Sequence, residues 1–142
     1  LIATPILDKP DVGLMMDEPA LIRFSEKIKK NGRIILNKSL VFSEIKIRPD
    51  IEVIKKPFTD TAIKLGNVKV ANVMALGFFF AAYNYPKDKI GKYLINFIPM
   101  LPKDIIDLNQ KALEVGYESY KIAQEKFDAE KVNQRLVNIL GL

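Results

Sequence analysis

The sequence predicts an α/β domain of three layers, with a mainly parallel sheet and a helical C-terminal part. Three observations predict it. Short apolar runs alternate with helix-like stretches from residue 11 to residue 65, the order of a layered α/β domain. The links between them are short, as in a right-handed strand–helix–strand crossover. Beyond residue 65 the pattern is helical alone.

Asp11-Val-Gly-Leu-Met-Met16 follows Pro10 and gives a buried strand over Val12–Met16. Asp17-Glu-Pro-Ala20 opens a helix. Asp17 can accept from the free amides of the first turn, Glu18 suits the positive helix end, and Pro19 fits a position that needs no N–H. Leu21, Phe24 and Ile28 share one face, and Asn31-Gly32 is the stop. Arg33–Asn37 is the second strand, and Leu40–Phe42 and Ile45–Ile47 are candidates for short edge pieces. Ile51–Ile54 is the third strand, ended by Pro57.

Thr59 or Asp60 caps a short helix through Leu65, which Gly66-Asn67 ends. A buried helix over Val70–Tyr83 is broken at Asn84-Tyr85-Pro86. Lys87–Ile98 is a further helix, closed by Pro99 and Pro102. Lys103–Phe127 is a long amphipathic helix with Ile105, Leu108, Ala112, Gly116 and Tyr120 near one stripe, and Asp128–Leu142 is a helical tail. Three strands are few against a usual sheet of about five or six. The expectation is one domain over residues 1–142, with a further strand before Leu1.

Composition narrows the chemistry. The chain is 49% hydrophobic and 27% charged, which suits an ordered domain rather than a disordered one. It contains no cysteine and no histidine. Disulfides are therefore excluded, and a reducing compartment, the cytoplasm, is expected. No thiolate or imidazole is present to bind zinc, haem or an iron–sulfur cluster, or to form a Ser-His or Cys-His pair. The net charge of +5 raises the question of nucleic acid, but the charge is spread along the chain and the Lys27, Lys29, Lys30 cluster contains Glu26. A solvated helix face explains it, and no nucleic-acid partner is expected. The apolar stretch from Val70 to Tyr83 is too short to span a bilayer, which takes about 20 residues, so no membrane is expected.

Four residues stand out as candidates for an interface or ligand cleft: Gly66, Asn67, Asn72 and Gly77. Gly66-Asn67 precedes the apolar helix, where free amides could bind an anion, although a helix C-cap also calls for Gly or Asn. Asn72 within the apolar helix reads as a buried amide in need of partners. Gly77 costs a helix roughly 1 kcal/mol against Ala, which points to close packing with another element. Phe78-Phe79-Phe80 covers most of the helix circumference, so one ring faces a second layer or another chain. Asp17-Glu18 follows a strand, at the sheet edge where ligands of α/β domains gather, but capping is a sufficient job for Asp17. No GxGxxG, P-loop or GxSxG pattern occurs, and no catalytic residue is assigned.

Five segments together resemble the gamma subunits of 2-oxoacid:ferredoxin oxidoreductases. Ile2-Ala-Thr-Pro-Ile-Leu-Asp-Lys-Pro-Asp-Val12 is similar to a "SP(I/V)xxPD" lead-in to a core strand. Pro19-Ala-Leu21 is similar to the end of an "NQPxL" helix start, with Asp17-Glu18 in place of Asn-Gln. Asn31–Val41 resembles "GGxLIxNSSL(I/V)", and Leu65–Gly77 resembles "LGNxxxANMxxLG" closely. Leu108–Glu118 resembles "xNxxAxxxGYE".

The resemblance implies a Rossmann-like gamma domain lacking its N-terminal glycine-rich segment. It implies a complex that oxidatively decarboxylates a 2-oxoacid of the 2-oxoglutarate or branched-chain type to an acyl-CoA and reduces ferredoxin. Thiamine diphosphate, magnesium, iron–sulfur clusters and CoA are implied for the complex, with none of the cofactors in this chain. The implied partners are alpha and beta subunits, with a ferredoxin-like delta subunit as an option, and CoA nearby. Lys55, Lys64 or Lys69 could steer its phosphates, though ordinary surface lysines are the simpler reading. A free-standing nucleotide-binding oxidoreductase and a basic nucleic-acid-binding module are the alternatives.

Overall fold

A computed structural model describes residues 8–97, 101–139 and 141. Its first unit, within residues 1–75, is built on three parallel strands in the order β1-β2-β3: Val12–Met15, Arg33–Asn37 and Glu52–Lys56. The registers Leu14↔Ile35 and Ile35↔Ile54 fix the alignment across the sheet. β2 is the middle strand and is buried on both faces. Ile34 and Leu36 point to one side, and by alternation Ile35 and Asn37 point to the other; all four are inaccessible or nearly so.

Helix α1, Glu18–Phe24, crosses from β1 to β2 and continues as a 3-10 turn over Ser25–Lys27. It buries Leu21, which joins Met15, Ile28, Ile34, Leu36 and Ile51 in one apolar cluster. The stop therefore falls earlier than Asn31-Gly32. Ile28 is already extended at the end of the 3-10 turn, and Asn31 takes a left-handed φ of 60° in the link to β2.

The crossover from β2 to β3 is a strap, not a helix. After a 3-10 turn at Lys38–Leu40 it runs irregularly, with half-buried Val41, Ile45 and Ile47 packed on the same apolar cluster. The edge pieces expected at Leu40–Phe42 and Ile45–Ile47 are thus not strands. The amides of Phe42 and Ser43 donate to Glu18, which takes them out of any ladder. The third strand starts one residue later than expected and runs two further, to Lys56.

Helix α2, Phe58–Leu65, begins directly after Pro57, with no local side-chain cap. Neither Thr59 nor Asp60 is its cap. Instead Thr59 N–H donates to Asn37 Oδ1 and Asp60 N–H donates to Ser39 Oγ, so the end of β2 satisfies the free amides from a distance. A 3-10 turn at Val68–Val70 leads into α3, Ala71–Ala82.

The second unit, residues 76–142, contains the C-terminal part of α3, then α4 (Lys87–Phe97) and α5 (Lys103–Ile139). α3 ends at Ala82, and Asn84 takes φ 55° just beyond it; Asn84 N–H donates to Ala81 O and Tyr85 N–H to Phe80 O, the paired bonds of a left-handed helix stop. Gly77 lies against the α5 backbone, so close that a Cβ would collide with the Leu113 carbonyl oxygen. Phe78 packs edge-on against Tyr120 at 5.3 Å. Tyr117 donates its hydroxyl to Tyr85 O at 2.9 Å, and Lys87 Nζ donates to both Glu114 and Glu118 at 2.8 Å. The long helix and the tail expected from 103 to 142 are one helix through Ile139, because no Gly or Pro interrupts residues 117–140. Ile98, Pro99 and Leu142, the expected ends of two elements, lie outside the described residues, as does Ile2–Leu7 of the lead-in segment.

Candidate functional site

The carboxyl ends of the strands are where an α/β sheet presents groups to ligands and partners. Here β1 ends at Met15, and Asp17 caps α1: its Oδ1 accepts from Ala20 N–H at 2.8 Å. Capping, the simpler of the two readings, is what the structure gives. Glu18 has a different job. One carboxylate oxygen accepts from Phe42 N–H at 2.8 Å and Ser43 N–H at 3.0 Å, and the other accepts from the Ser43 hydroxyl at 2.7 Å. These bonds, the Ser43 hydroxyl first, hold the Glu18 carboxyl below its ordinary pKa. The clasp fixes the strap where it leaves the sheet edge. It leaves a groove lined by Asp17, Glu18, Pro19, Ile22, Leu40 and Phe42. Phe42 is 84% exposed, Ile22 62% and Leu40 38%.

Asn37 forms the floor of this edge. It is fully buried, and its amide donates to Met16 O at 3.0 Å and to Thr59 Oγ1 at 2.8 Å while its oxygen accepts from Thr59 N–H. One side chain thus ties β1, β2 and α2 together. In the sequence Asn37 stands out only as the last residue of a strand.

At the opposite end of the strands, Arg48 donates to Glu26 O and Ile28 O and forms a two-pronged pair with Asp50, which also accepts from Asn31 N–H. The Arg48 guanidinium, then the Asn31 amide, holds the Asp50 carboxyl well below the usual range. A shallow hollow here is lined by Lys9, Lys27, Lys29, Lys30 and Arg48, but Asp8, Glu26 and Asp50 line it too. The mixture of signs makes it a poor anion site.

The four sequence candidates each have a local structural job. Gly66 is the left-handed cap of α2 at φ 110°, its N–H donating to Ala62 O and Ile63 O. Asn67, in the same turn, accepts from Lys69 N–H and caps the 3-10 turn that follows. Asn72 is exposed, not buried as expected, and accepts from Val73 N–H. It sits in the first turn of α3, which continues from the 3-10 turn as Ala71 N–H donates to Val68 O. Gly77 is five residues along the same helix, on a different face, and is buried. Ile63 and Val68, in the same stretch of sequence, are exposed.

Among the described residues no three Asp or Glu side chains converge on a metal position. The donor set does not fit an iron–sulfur cluster either, since the sequence holds neither Cys nor His. No helix among the described residues is long and apolar enough to cross a membrane.

The profile of pyruvate ferredoxin/flavodoxin oxidoreductases matches residues 2–119. The chain belongs to this family. The 2-oxoglutarate synthase subunit KorC of Methanocaldococcus jannaschii is 29% identical over 121 residues, 82% of this chain and 62% of the relative. The chain therefore spans about three-fifths of the length of that curated relative. Among solved structures, the gamma subunit of keto/oxoacid ferredoxin oxidoreductase from Geobacter sulfurreducens is 25% identical with a TM-score of 0.67, over 79% of this chain and 64% of that one. Two others share the fold. Pyruvate oxidoreductase subunit PORC of Thermotoga maritima aligns with a TM-score of 0.60 at 24% identity, over 79% of this chain and 64% of that one. 2-Oxoglutarate:ferredoxin oxidoreductase of Magnetococcus marinus, solved with 2-oxoglutarate, coenzyme A and succinyl-CoA bound, aligns with a TM-score of 0.69 at 18% identity, over 79% of this chain and 20% of that one. The oxidoreductase family and the parallel α/β sheet expected from the sequence are both found.

Proposed function

We propose that this chain is a gamma-type subunit of a 2-oxoacid:ferredoxin oxidoreductase. In such a complex a 2-oxoacid is oxidatively decarboxylated to an acyl-CoA while ferredoxin is reduced. The observation that carries the reading is the family match over residues 2–119, which includes the sheet, the strap and most of the helical part. The chemistry calls for a carbanion-stabilising cofactor and single-electron carriers. Thiamine diphosphate with magnesium and the iron–sulfur clusters belong, in this reading, to alpha, beta or delta-type partners. This chain contributes orientation and docking surface. Gly66, Asn67 and Asn72 are candidates for one such contact region, and Gly77, packed on the α5 backbone, is a candidate for the support of the helical unit.

The test compares the purified chain with the co-expressed complex, using 2-oxoacid, CoA and an electron-accepting dye. Activity is expected only with the partners present, and is lost when this chain is left out. Turnover by the chain alone overturns the reading. Asn72→Leu is expected to weaken assembly or CoA-dependent turnover while the thermal midpoint of the chain stays within a few degrees; unchanged assembly and turnover remove Asn72 from the contact.

A further inference from the structure

We infer that the groove at the carboxyl edge of the sheet, between Pro19 and Ile22 of α1 and Leu40 and Phe42 of the strap, is a docking site for a partner-protein segment carrying a basic residue beside an apolar one. The inference rests on the subunit reading above and adds a location and a chemistry to it. Its apolar half is large and presented outward: Phe42 is 84% exposed and Ile22 62%. Single exposed apolar residues are ordinary, but here four apolar residues line one groove. Aromatic residues, phenylalanine included, are enriched in the cores of protein interfaces.

The ring is also preorganised. Glu18 holds the amides of Phe42 and Ser43 and the Ser43 hydroxyl with three bonds of 2.7–3.0 Å. The backbone beneath the ring is thus tied to α1, so docking has less loop freedom to remove.

Charge selects the occupant. The chain carries a net charge of +5, yet among the described residues the charged ones lining this groove are Asp17 and Glu18. Arg23, the nearest basic residue along α1, has its guanidinium over the Phe24 ring. The local sign is therefore the reverse of the global one. A negative groove favours a cationic segment, and two copies cannot meet groove to groove without bringing these carboxylates together.

The experiment uses the chain reconstituted with its partner subunits, with affinity measured at low and high salt. Phe42→Asp is expected to weaken assembly at least tenfold, and Phe42→Ala by less. Phe42 is exposed, so both variants should keep the wild-type thermal midpoint, which is measured alongside. Asp17→Ser keeps a good helix cap while removing the charge. It is expected to weaken assembly about threefold to tenfold at low salt, with the difference shrinking as salt screens the groove. A Phe42→Asp chain that assembles like wild type overturns the docking site while leaving the subunit reading intact. Loss at Phe42 with no change in affinity or salt dependence for Asp17→Ser overturns the basic partner. Self-association of the isolated chain that Phe42→Asp abolishes overturns it in favour of a second copy. A wild-type chain that joins no subunit overturns the subunit reading and this site with it.

Discussion

Replacing Gly77 with alanine tests whether α3 and α5 meet backbone to backbone. The new methyl would stand 3.0 Å from the Leu113 carbonyl carbon and 3.1 Å from the Tyr117 nitrogen, and closer still to the Leu113 oxygen. All three are backbone atoms of α5, so no side chain can rotate out of the way. Ordinary carbon contacts are about 3.5–4 Å, so the helices must part by on the order of 1 Å. The neighbours that would lose contact, Phe78, Ala81, Ala112, Leu113 and Tyr117, are all buried. Overpacking of this kind costs about 1–3 kcal/mol, and a backbone collision belongs at the upper end. Alanine returns about 1 kcal/mol through its better helix propensity. The net expectation is a loss of about 2 kcal/mol, or roughly 4–8 °C in the thermal midpoint of a chain this long. Gly91→Ala is the control: it also lies within a helix, and no described atom comes within 4 Å of its Cβ position. That variant is expected to gain up to about 1 kcal/mol. Urea unfolding of the two variants should therefore move in opposite directions. A Gly77→Ala chain as stable as wild type would refute the close approach.

Three further outcomes are expected. Asn37→Leu leaves Met16 O and Thr59 N–H without a partner at a buried position and should cost about 3 kcal/mol, read from the urea midpoint; a loss under about 1 kcal/mol would show that another group takes over. The carboxyls of Asp50, Glu18 and Glu114 are all held below their ordinary values, by Arg48, by the Ser43 hydroxyl and by Lys87 respectively. Their unfolded forms bind protons more readily, so the stability they contribute is present above their unfolded pKa near 4 and lost as pH falls below it; Arg48→Met should flatten the acid limb of a stability–pH curve, and an unchanged limb would remove the Arg48–Asp50 pair as a cause. Lys87 is pushed up to about 12 by Glu114 and then Glu118, so its contribution is full below about 10.5 and fades as pH rises through 12; Lys87→Met should remove that alkaline loss, and a curve like wild type's would contradict the bridge.

Local patterns carried much of this fold, and long-range bonds account for what they missed. β1 and β2 follow from apolar runs closed by Pro10, Asp17 and Gly32, and their observed bounds agree within a residue. The buried α3 follows from an apolar stretch ended by Asn84. What failed was whatever depended on a partner far along the chain. The strap looked strand-like at Leu40–Phe42 because apolar residues cluster there, but its amides belong to Glu18, 24 and 25 residues away. The start of α2 differs because its amides are satisfied by Asn37 and Ser39, 22 and 21 residues earlier, a spacing no periodicity contains. The apolar neighbours of Asn72 predict burial; one face of the first turn of α3 is nonetheless exposed. Of the carboxyl-edge groove, Asp17 as a cap was legible. Phe42, Leu40 and Ile22 as one surface was not, because the strap that brings them together has no regular structure to predict.

The Asp17-Glu18 pair, where the family pattern often has Asn-Gln, alters this edge in one respect more than any other. As a cap, Asn serves about as well as Asp. At residue 18 the Phe42 and Ser43 amides need an acceptor oxygen, which a glutamine also offers. The remaining bond uses the Ser43 hydroxyl, which can turn from donor to acceptor and meet a glutamine NH2. Cap and clasp are therefore within reach of both pairs, and the backbone beneath Phe42 need not differ between them. What the acidic pair adds is two negative charges beside an apolar groove on a chain of net +5. A substitution that spares the local hydrogen bonds while making the local potential negative bears on what approaches the groove more than on how the groove folds. That is the physical sense in which Asp17 and Glu18 set the choice of partner and Pro19, Ile22, Leu40 and Phe42 set the strength with which it is held.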